Sequence, residues 1–247
     1  MKALVYTGPE TLEYRDEPEP DGGGEIVVQV EACGICGSDM HAYLGHDERR
    51  PAPLVLGHEV AGIAQSGTFA GQRVTINPLV TCMSCPSCLE GRTNLCPSRV
   101  IISMPQRPGG FAEFVSVPER NLPPVNDDID VGVASLTEPV AVTYHGINLA
   151  ADALFRPISS ASVIVIGGGA IGVASAGVLL SRGVTKLRLA ETSALRRKAL
   201  GTYGRFEVFD PAAQPDLENV ADLVVDAVGL EATRALACRL VRPGGVM

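Results

Sequence analysis

Residues 160–183, SASVIVIGGGAIGVASAGVLLSRG, restrict what this chain can fold into more than any other stretch. An apolar β-run meets a glycine turn, and a helix of small apolar residues follows. Gly183 stands where such a helix should stop. TKLRLAE then reads as a second strand, SALRRKALGTYG as a helix ending in glycine, and FEVFD and ADLVVDAVG as further strands. EATRALACRLVRPGG reads as a last helix broken by Pro-Gly-Gly. Strand alternating with helix predicts a parallel, doubly wound sheet. The count is about four strands before residue 247, against about six in a complete domain of this kind.

The turn itself, Gly167 to Gly172, fits G-x-G-x-x-G in the context that gives the pattern meaning. Gly167 permits the tight turn, Gly169 lets the backbone approach a pyrophosphate, and Gly172 lets the helix pack closely on the strand. Ile171 lies within the same loop. The free N–H groups at the start of the helix favour phosphate. Glu191 lies where an acidic residue should hold the adenosine ribose diol, which favours NAD over NADP. Arg196 or Arg197 could instead reach a 2′-phosphate.

The first part of the chain has another character. EIVVQVEACGICGSD, LVLGHEVAGIA, RVTIN and GGFAEFVSV are short β-runs broken by glycine and proline. Six of the seven cysteines lie here. CMSCPSCLEGRTNLC, residues 82–96, places Cys82, Cys85, Cys88 and Cys96 in C-x2-C-x2-C-x7-C spacing. Clustered thiols and an odd total speak for metal rather than disulfides. An iron–sulfur cluster competes with zinc, since bacterial ferredoxins use C-x2-C-x2-C-x3-C-P and Pro97 follows Cys96. The seven-residue gap favours a structural zinc with a closed shell of four thiolates. Chemistry then needs an open site. CGICGSDMH, GHE and TEPVAV offer Cys36, Ser38, Asp39, His41, His58, Glu59 and Glu138. Cysteine, histidine and carboxylate can hold a zinc with one position free, and such an ion lowers the pKa of an alcohol. Spacing alone does not connect these residues.

Composition narrows the function classes. A net charge of −8 argues against nucleic acid, whose phosphates need a basic face. No stretch approaches the roughly 20 apolar residues of a membrane span. The N-terminus lacks the apolar core of a signal peptide, so a cytoplasmic protein is expected.

Together, CGICGSD, GHE, the cysteine run, GGFAEF, EPVAV and VIGGGAIG, in that order, resemble the zinc-dependent medium-chain alcohol dehydrogenases, most of all the sorbitol, polyol and threonine dehydrogenase branch. The resemblance implies an α/β protein: a GroES-like, mostly β catalytic domain at 1–150 with the zinc lobe at about 82–96, and a Rossmann NAD-binding domain at 151–247 that lacks its last strands. It implies an NAD-dependent alcohol or polyol dehydrogenase with two zinc ions. Cys36, His58 and Glu138 would be ligands of the catalytic zinc, with Glu59 beside the metal and able to ligate. Asp39 would orient His58, while Ser38 and His41 relay the proton. Cys82, Cys85, Cys88 and Cys96 would hold the structural zinc. Pro139 and Val142 would lie toward the nicotinamide. Cys33 and Cys238 are expected as packed thiols, and His46 and His145 as surface or helix-face residues. AGIAQSGTFAGQRV is shorter than the family's usual loop and touches no ligand. Relatives continue past RPGG into a further strand, so a fragment or a shortened product is expected. A full-length form would be a homo-oligomer, dimer or tetramer, acting on a small alcohol or polyol. The alternative is a zinc-stabilised dinucleotide-binding protein without turnover.

Overall fold

The computed structural model describes residues Met1–Met247, which form two compact units, Met1–Glu138 and Pro139–Met247. The division falls before the expected boundary at about residue 150, inside a long helix. No helix is long and apolar enough to cross a membrane.

The first unit is mostly β. Strands β1 (Lys2–Gly8), β2 (Thr11–Asp16) and β4 (Leu54–Val55) form one sheet, in the order β2-β1-β4. A second sheet has the order β6-β5-β3-β9, from β3 (Ile26–Gly34), β5 (Glu59–Ala64), β6 (Arg73–Thr75) and β9 (Phe114–Val117). Val28, Val60, Val74, Ile76, Ile102, Val115 and Val117 fill its core, each buried to 4% exposure or less. Burial of such a side chain contributes about 1.5–3 kcal/mol. A small pair, β7 (Leu79–Val80) and β8 (Val100–Ile101), brackets the cysteine run. Helices are short here: α1 (Gly37–Tyr43), α2 (Pro86–Leu89) and α3 (Val131–Ala134).

One register positions the chemistry. β3 and β5 are antiparallel, with Cys33 opposite Val60 and Gly34 opposite Glu59. The residues that follow β3 therefore meet those that precede and open β5. Gly34 leaves room for the Glu59 carboxylate, which a Cβ there would displace.

Helix α4 (Thr137–Ala153) carries the chain into the second unit. There β10 (Ser162–Ile166), β11 (Lys186–Ala190), β12 (Glu207–Phe209), β13 (Ala221–Asp226) and β14 (Val241–Val246) form one parallel sheet, in the order β12-β11-β10-β13-β14. Helices α5 (Ala170–Ser181), α6 (Ala194–Gly201) and α7 (Glu231–Leu240) alternate with the strands. Val163 and Val165 of β10 enter one core with Leu179, Leu187 and Leu189. Ile164 and Ile166 enter the other with Val224, Ala237 and Leu240. A strand covered on both faces needs no polar alternation, which explains the run VIVI.

The sheet has five strands, where about four were expected. The helix written EATRALACRLVRPGG ends at Leu240, and RPGG belongs to β14. Leu240-Val241 carries no breaker, so the end of the helix is set by tertiary pairing of Val241 with Ala221. Pro243 is tolerated because the pairing of β14 with β13 is irregular there: Val241 pairs with Ala221 and Val246 with Leu223, and Pro243 falls in the interruption between them.

Candidate functional site

At the end of the β3–β5 pair, Cys36, His58 and Glu59 offer ligand atoms that all lie within 4.8 Å of one another. His58 and Glu59 are each 7% exposed. Cys36 caps the start of α1, and its backbone N–H donates to Asp39 Oδ2 at 3.0 Å. Asp39, buried, also accepts the Gly57 N–H on Oδ1 at 3.2 Å and lies 3.6 Å from His58 Nδ1. The carboxylate thus faces the ring nitrogen, as histidines that bind metal through their other nitrogen require.

The electrostatics point the same way. The bond from His58 holds the Cys36 thiol below its ordinary range. Burial disfavours charge on His58, but Asp39 and Cys36 override it and raise its pKa to about 10. Burial pushes Glu59 up, against the pull of His58. Glu138, half-buried in the first turn of α4, is also pushed up, first by burial and then by Glu59 and Asp39. The Cys36 thiol and the Glu59 carboxylate beside one imidazole, whose Nδ1 side is taken up by Asp39, form a donor set that suits a divalent cation. Glu138 feels the field of this cluster but is not one of the three donors drawn together.

Ser38 and His41 share α1, three residues apart and so on neighbouring positions of its surface. Ser38 helps to hold the Cys36 thiol below its ordinary range, after His58, and His41 is exposed. Cys33 is a packed thiol beside Gly57 and Phe111, and burial lifts it to about 12. Cys238 is exposed and meets only the Met247 sulfur, at 3.8 Å, where a packed thiol was expected. The helix α7 turns that position outward, which the apolar spelling around it conceals. His46 and His145 are exposed.

Cys82, Cys85, Cys88 and Cys96 form a second cluster, again within 4.8 Å. Cys82 Sγ lies 3.6 Å from Cys96 Sγ and 4.0 Å from Cys88 Sγ. Four thiolates at about 2.3 Å from one tetrahedral ion would be about 3.8 Å apart. An iron–sulfur cluster, with each thiolate on a different iron, would spread them wider.

In the second unit, Gly167 has φ +97° and turns the chain at the end of β10. A Cβ on Gly172 would collide with the Gly167 carbonyl, whereas one on Gly169 would meet nothing. The glycine loop is therefore held tight from below and open above, with Gly169 as the cap of α5. This loop opens at the carboxyl end of β10, where the strand order reverses between β10 and β13, the place such sheets bind dinucleotides. Ile171 is half-buried in the first turn of α5. Glu191 follows β11 and is 5% exposed. Its Oε2 accepts the Gly168 N–H at 2.9 Å and its Oε1 the Ser193 N–H at 2.7 Å. Burial works against its charge, yet these two amides and Arg196 hold its pKa below the ordinary value. Arg196 lies 3.5 Å from the carboxylate with its side chain 63% exposed, while Arg197 is committed to Asp210 and to the carbonyls of Glu191 and Thr192.

Nothing in the spelling of DERRP or IISMP marks Ser103, whose hydroxyl meets Asp39, or Arg50 and Asp47, of which Arg50 bonds to the Ser103 carbonyl and to Asp47. Two adjacent arginines look alike in sequence, and only the fold buries one of them. Asp226, at the end of β13, accepts the Val228 and Gly229 amides and was equally silent among the apolar residues of its strand.

Residues 22–127 match the model of the alcohol dehydrogenase GroES-like domain. The chain is 33% identical over 262 aligned positions to L-galactonate-5-dehydrogenase of Escherichia coli, covering all of this chain and 75% of that protein. It is 32% identical to L-threonine 3-dehydrogenase of Rhizobium johnstonii, over 93% of this chain and 66% of the relative. Acetophenone reductase of Geotrichum candidum, solved in complex with NAD, superposes with a TM-score of 0.87 at 27% identity, over 99% of this chain and 74% of that one. The chain belongs to the zinc-dependent medium-chain alcohol dehydrogenase family, in the branch that holds the polyol and threonine dehydrogenases.

Proposed function

We propose that the chain is a zinc- and NAD-dependent dehydrogenase that oxidises a secondary alcohol of a polyol, sugar acid or similar polar substrate to the ketone. The observation that carries this reading is the meeting of Cys36, His58 and Glu59 at the end of β3 and β5, with Asp39 behind His58. Cys36 and His58 are the proposed zinc ligands, with Glu59 the carboxylate nearest to them and Glu138 a further one. Cys82, Cys85, Cys88 and Cys96 are proposed to hold a second, structural zinc. The catalytic zinc would supply a Lewis acid that lowers the pKa of the alcohol, and NAD an acceptor for the hydride.

The chain's own residues do the rest. Asp39 keeps the His58 ring turned with Nδ1 toward itself, which leaves Nε2 free as a donor atom. Ser38 takes the hydroxyl proton, and exposed His41 passes it to solvent. One hydride and one proton thus leave the alcohol, and the ketone remains. Gly167, Gly169, Gly172 and Ile171, with the amides at the start of α5, seat the pyrophosphate. Glu191 faces the adenosine ribose, and its buried negative charge disfavours a 2′-phosphate; Arg196 is the residue that could offset this. The reading extends to a cytoplasmic homo-oligomer, for which the family resemblance and the reduced, clustered thiols are the support.

The test is metal analysis followed by NADH formation on the zinc-loaded protein with xylitol, sorbitol, L-galactonate, butanediol and threonine. Two zinc ions per chain and turnover of one of these alcohols are expected. Two zinc ions with no turnover of any secondary alcohol, under NAD or NADP, would move the protein to the non-catalytic dinucleotide-binding alternative.

A further inference from the structure

Arg50 is 6% exposed, and a buried arginine has to be paired. Its Nη1 donates to Asp47 Oδ2 at 2.7 Å, and both side chains are 8% exposed or less. Its Nε donates to the carbonyl of Ser103 at 2.9 Å, and Nη1 also reaches the carbonyl of Ser38 at 3.5 Å. Arg49 contacts the same Asp47, yet its side chain is 72% exposed. Of the two neighbours, only Arg50 is turned inward.

What Arg50 holds leads to the donor cluster by two routes. Ser38 lies in the first turn of α1, between Cys36 and Asp39. Ser103 is fully buried with φ +68°, a left-handed conformation that a residue with a Cβ adopts only when its surroundings enforce it. Its hydroxyl donates to Asp39 Oδ1 at 3.4 Å, the same oxygen that faces His58 Nδ1. A buried ion pair is by itself weak evidence for stability, since apolar residues of like volume often serve as well. Apolar residues could not bind two carbonyls from different segments, whereas a planar guanidinium can.

We infer that Arg50, fixed by Asp47, is a positioning residue: it locks the Ser103 turn and the first turn of α1 so that Asp39 faces His58. The inference rests on the reading of Cys36 and His58 as ligands of the catalytic zinc. Partners behind a metal-bound histidine govern how tightly the metal is held. Arg50 stands one step further back, so its loss loosens one zinc site and leaves the four-cysteine site alone.

The experiment follows zinc release from the loaded full chain to the chromogenic chelator 4-(2-pyridylazo)resorcinol. The phase missing from Cys36→Ser identifies the open site, and the remaining phase is the internal control. Asp47→Asn with Arg50→Gln removes both buried charges together. It should speed release from the open site about tenfold, the low end of such effects, and leave the other phase and the melting temperature nearly unchanged. Ser103→Ala cuts the link to Asp39 without touching a charge and should speed the same phase about threefold, as the loss of one modest hydrogen bond would. If the double variant does not fold, Ser103→Ala decides alone. Equal acceleration of both phases, or no change in either variant, overturns the inference. A wild-type chain holding a single zinc overturns the underlying reading first, and the inference with it.

Discussion

The Glu191 carboxylate accepts one amide from the glycine loop and one from the residue that caps α6, so it ties two segments of the dinucleotide site together. The sign of its pH dependence follows. Its folded pKa lies below the ordinary 4.5, so it stabilises the fold above pH 4.5, and that contribution is lost as the pH falls through the folded value. Glu191→Gln keeps the shape but not the charge. Its melting temperature should therefore fall less steeply than that of wild type between about pH 5 and pH 3. Parallel curves would show that the charge contributes nothing. At the same scale, Ser38→Ala should lower kcat by about 10²–10⁴-fold while NAD affinity, measured by nucleotide titration, stays within about twofold. Full activity in that variant removes Ser38 from the relay.

The glycine loop shows why some elements could be read from sequence and others could not. Gly167, Gly169 and Gly172 announce themselves because their requirements are local: a positive φ, an open approach, and a helix pressed against the preceding carbonyl. The alternation of strand and helix was legible for the same reason. The fifth strand was not, because Pro243, Gly244 and Gly245 spell a breaker, and only pairing with β13 makes Val241–Val246 a strand. The donor cluster stands between these cases. Cys36 and His58 are joined by the β3–β5 register, which no spacing encodes; resemblance to a family linked them, and geometry supplied the reason. Arg50 and Ser103 had neither a local signature nor a motif. The loop yields a paired test within one helix. Gly172→Ala drives a Cβ into the Gly167 carbonyl, which should cost about 1–3 kcal/mol and weaken NAD binding. Gly177→Ala, exposed in the same helix with nothing near its Cβ, should instead stabilise by about 0.5–1 kcal/mol. Denaturant midpoints moving in the same direction for both would refute the steric account.

Across the whole molecule, the two units rely on different kinds of cohesion. The parallel sheet of the second unit is packed on both faces by apolar residues and needs no ion to hold it. The cysteine lobe of the first has no such core. None of the apolar clusters includes a residue between 82 and 99, and Met83, Leu89 and Leu95 are 49%, 75% and 46% exposed. Its base is anchored: the Asn121 amide donates to the carbonyls of Asn77 and Leu79, both at 2.8 Å, and Arg120 donates to that of Thr81 at 3.0 Å. Beyond that base, the four thiols are what the lobe has in common. Where a metal supplies the cohesion, its binding energy is folding energy, and a chelator removes both. Zinc-loaded protein should therefore resist trypsin at Arg92, whose side chain is 63% exposed but sits in a closed loop. Prolonged chelation should open that bond to cleavage and make the four lobe thiols, together with Cys36 of the other site, reactive toward a disulfide reagent. NADH fluorescence, reporting on the second unit, should survive. If the stripped lobe resists trypsin as well as the loaded one, its cohesion comes from the anchors at its base and the four cysteines are not its staple.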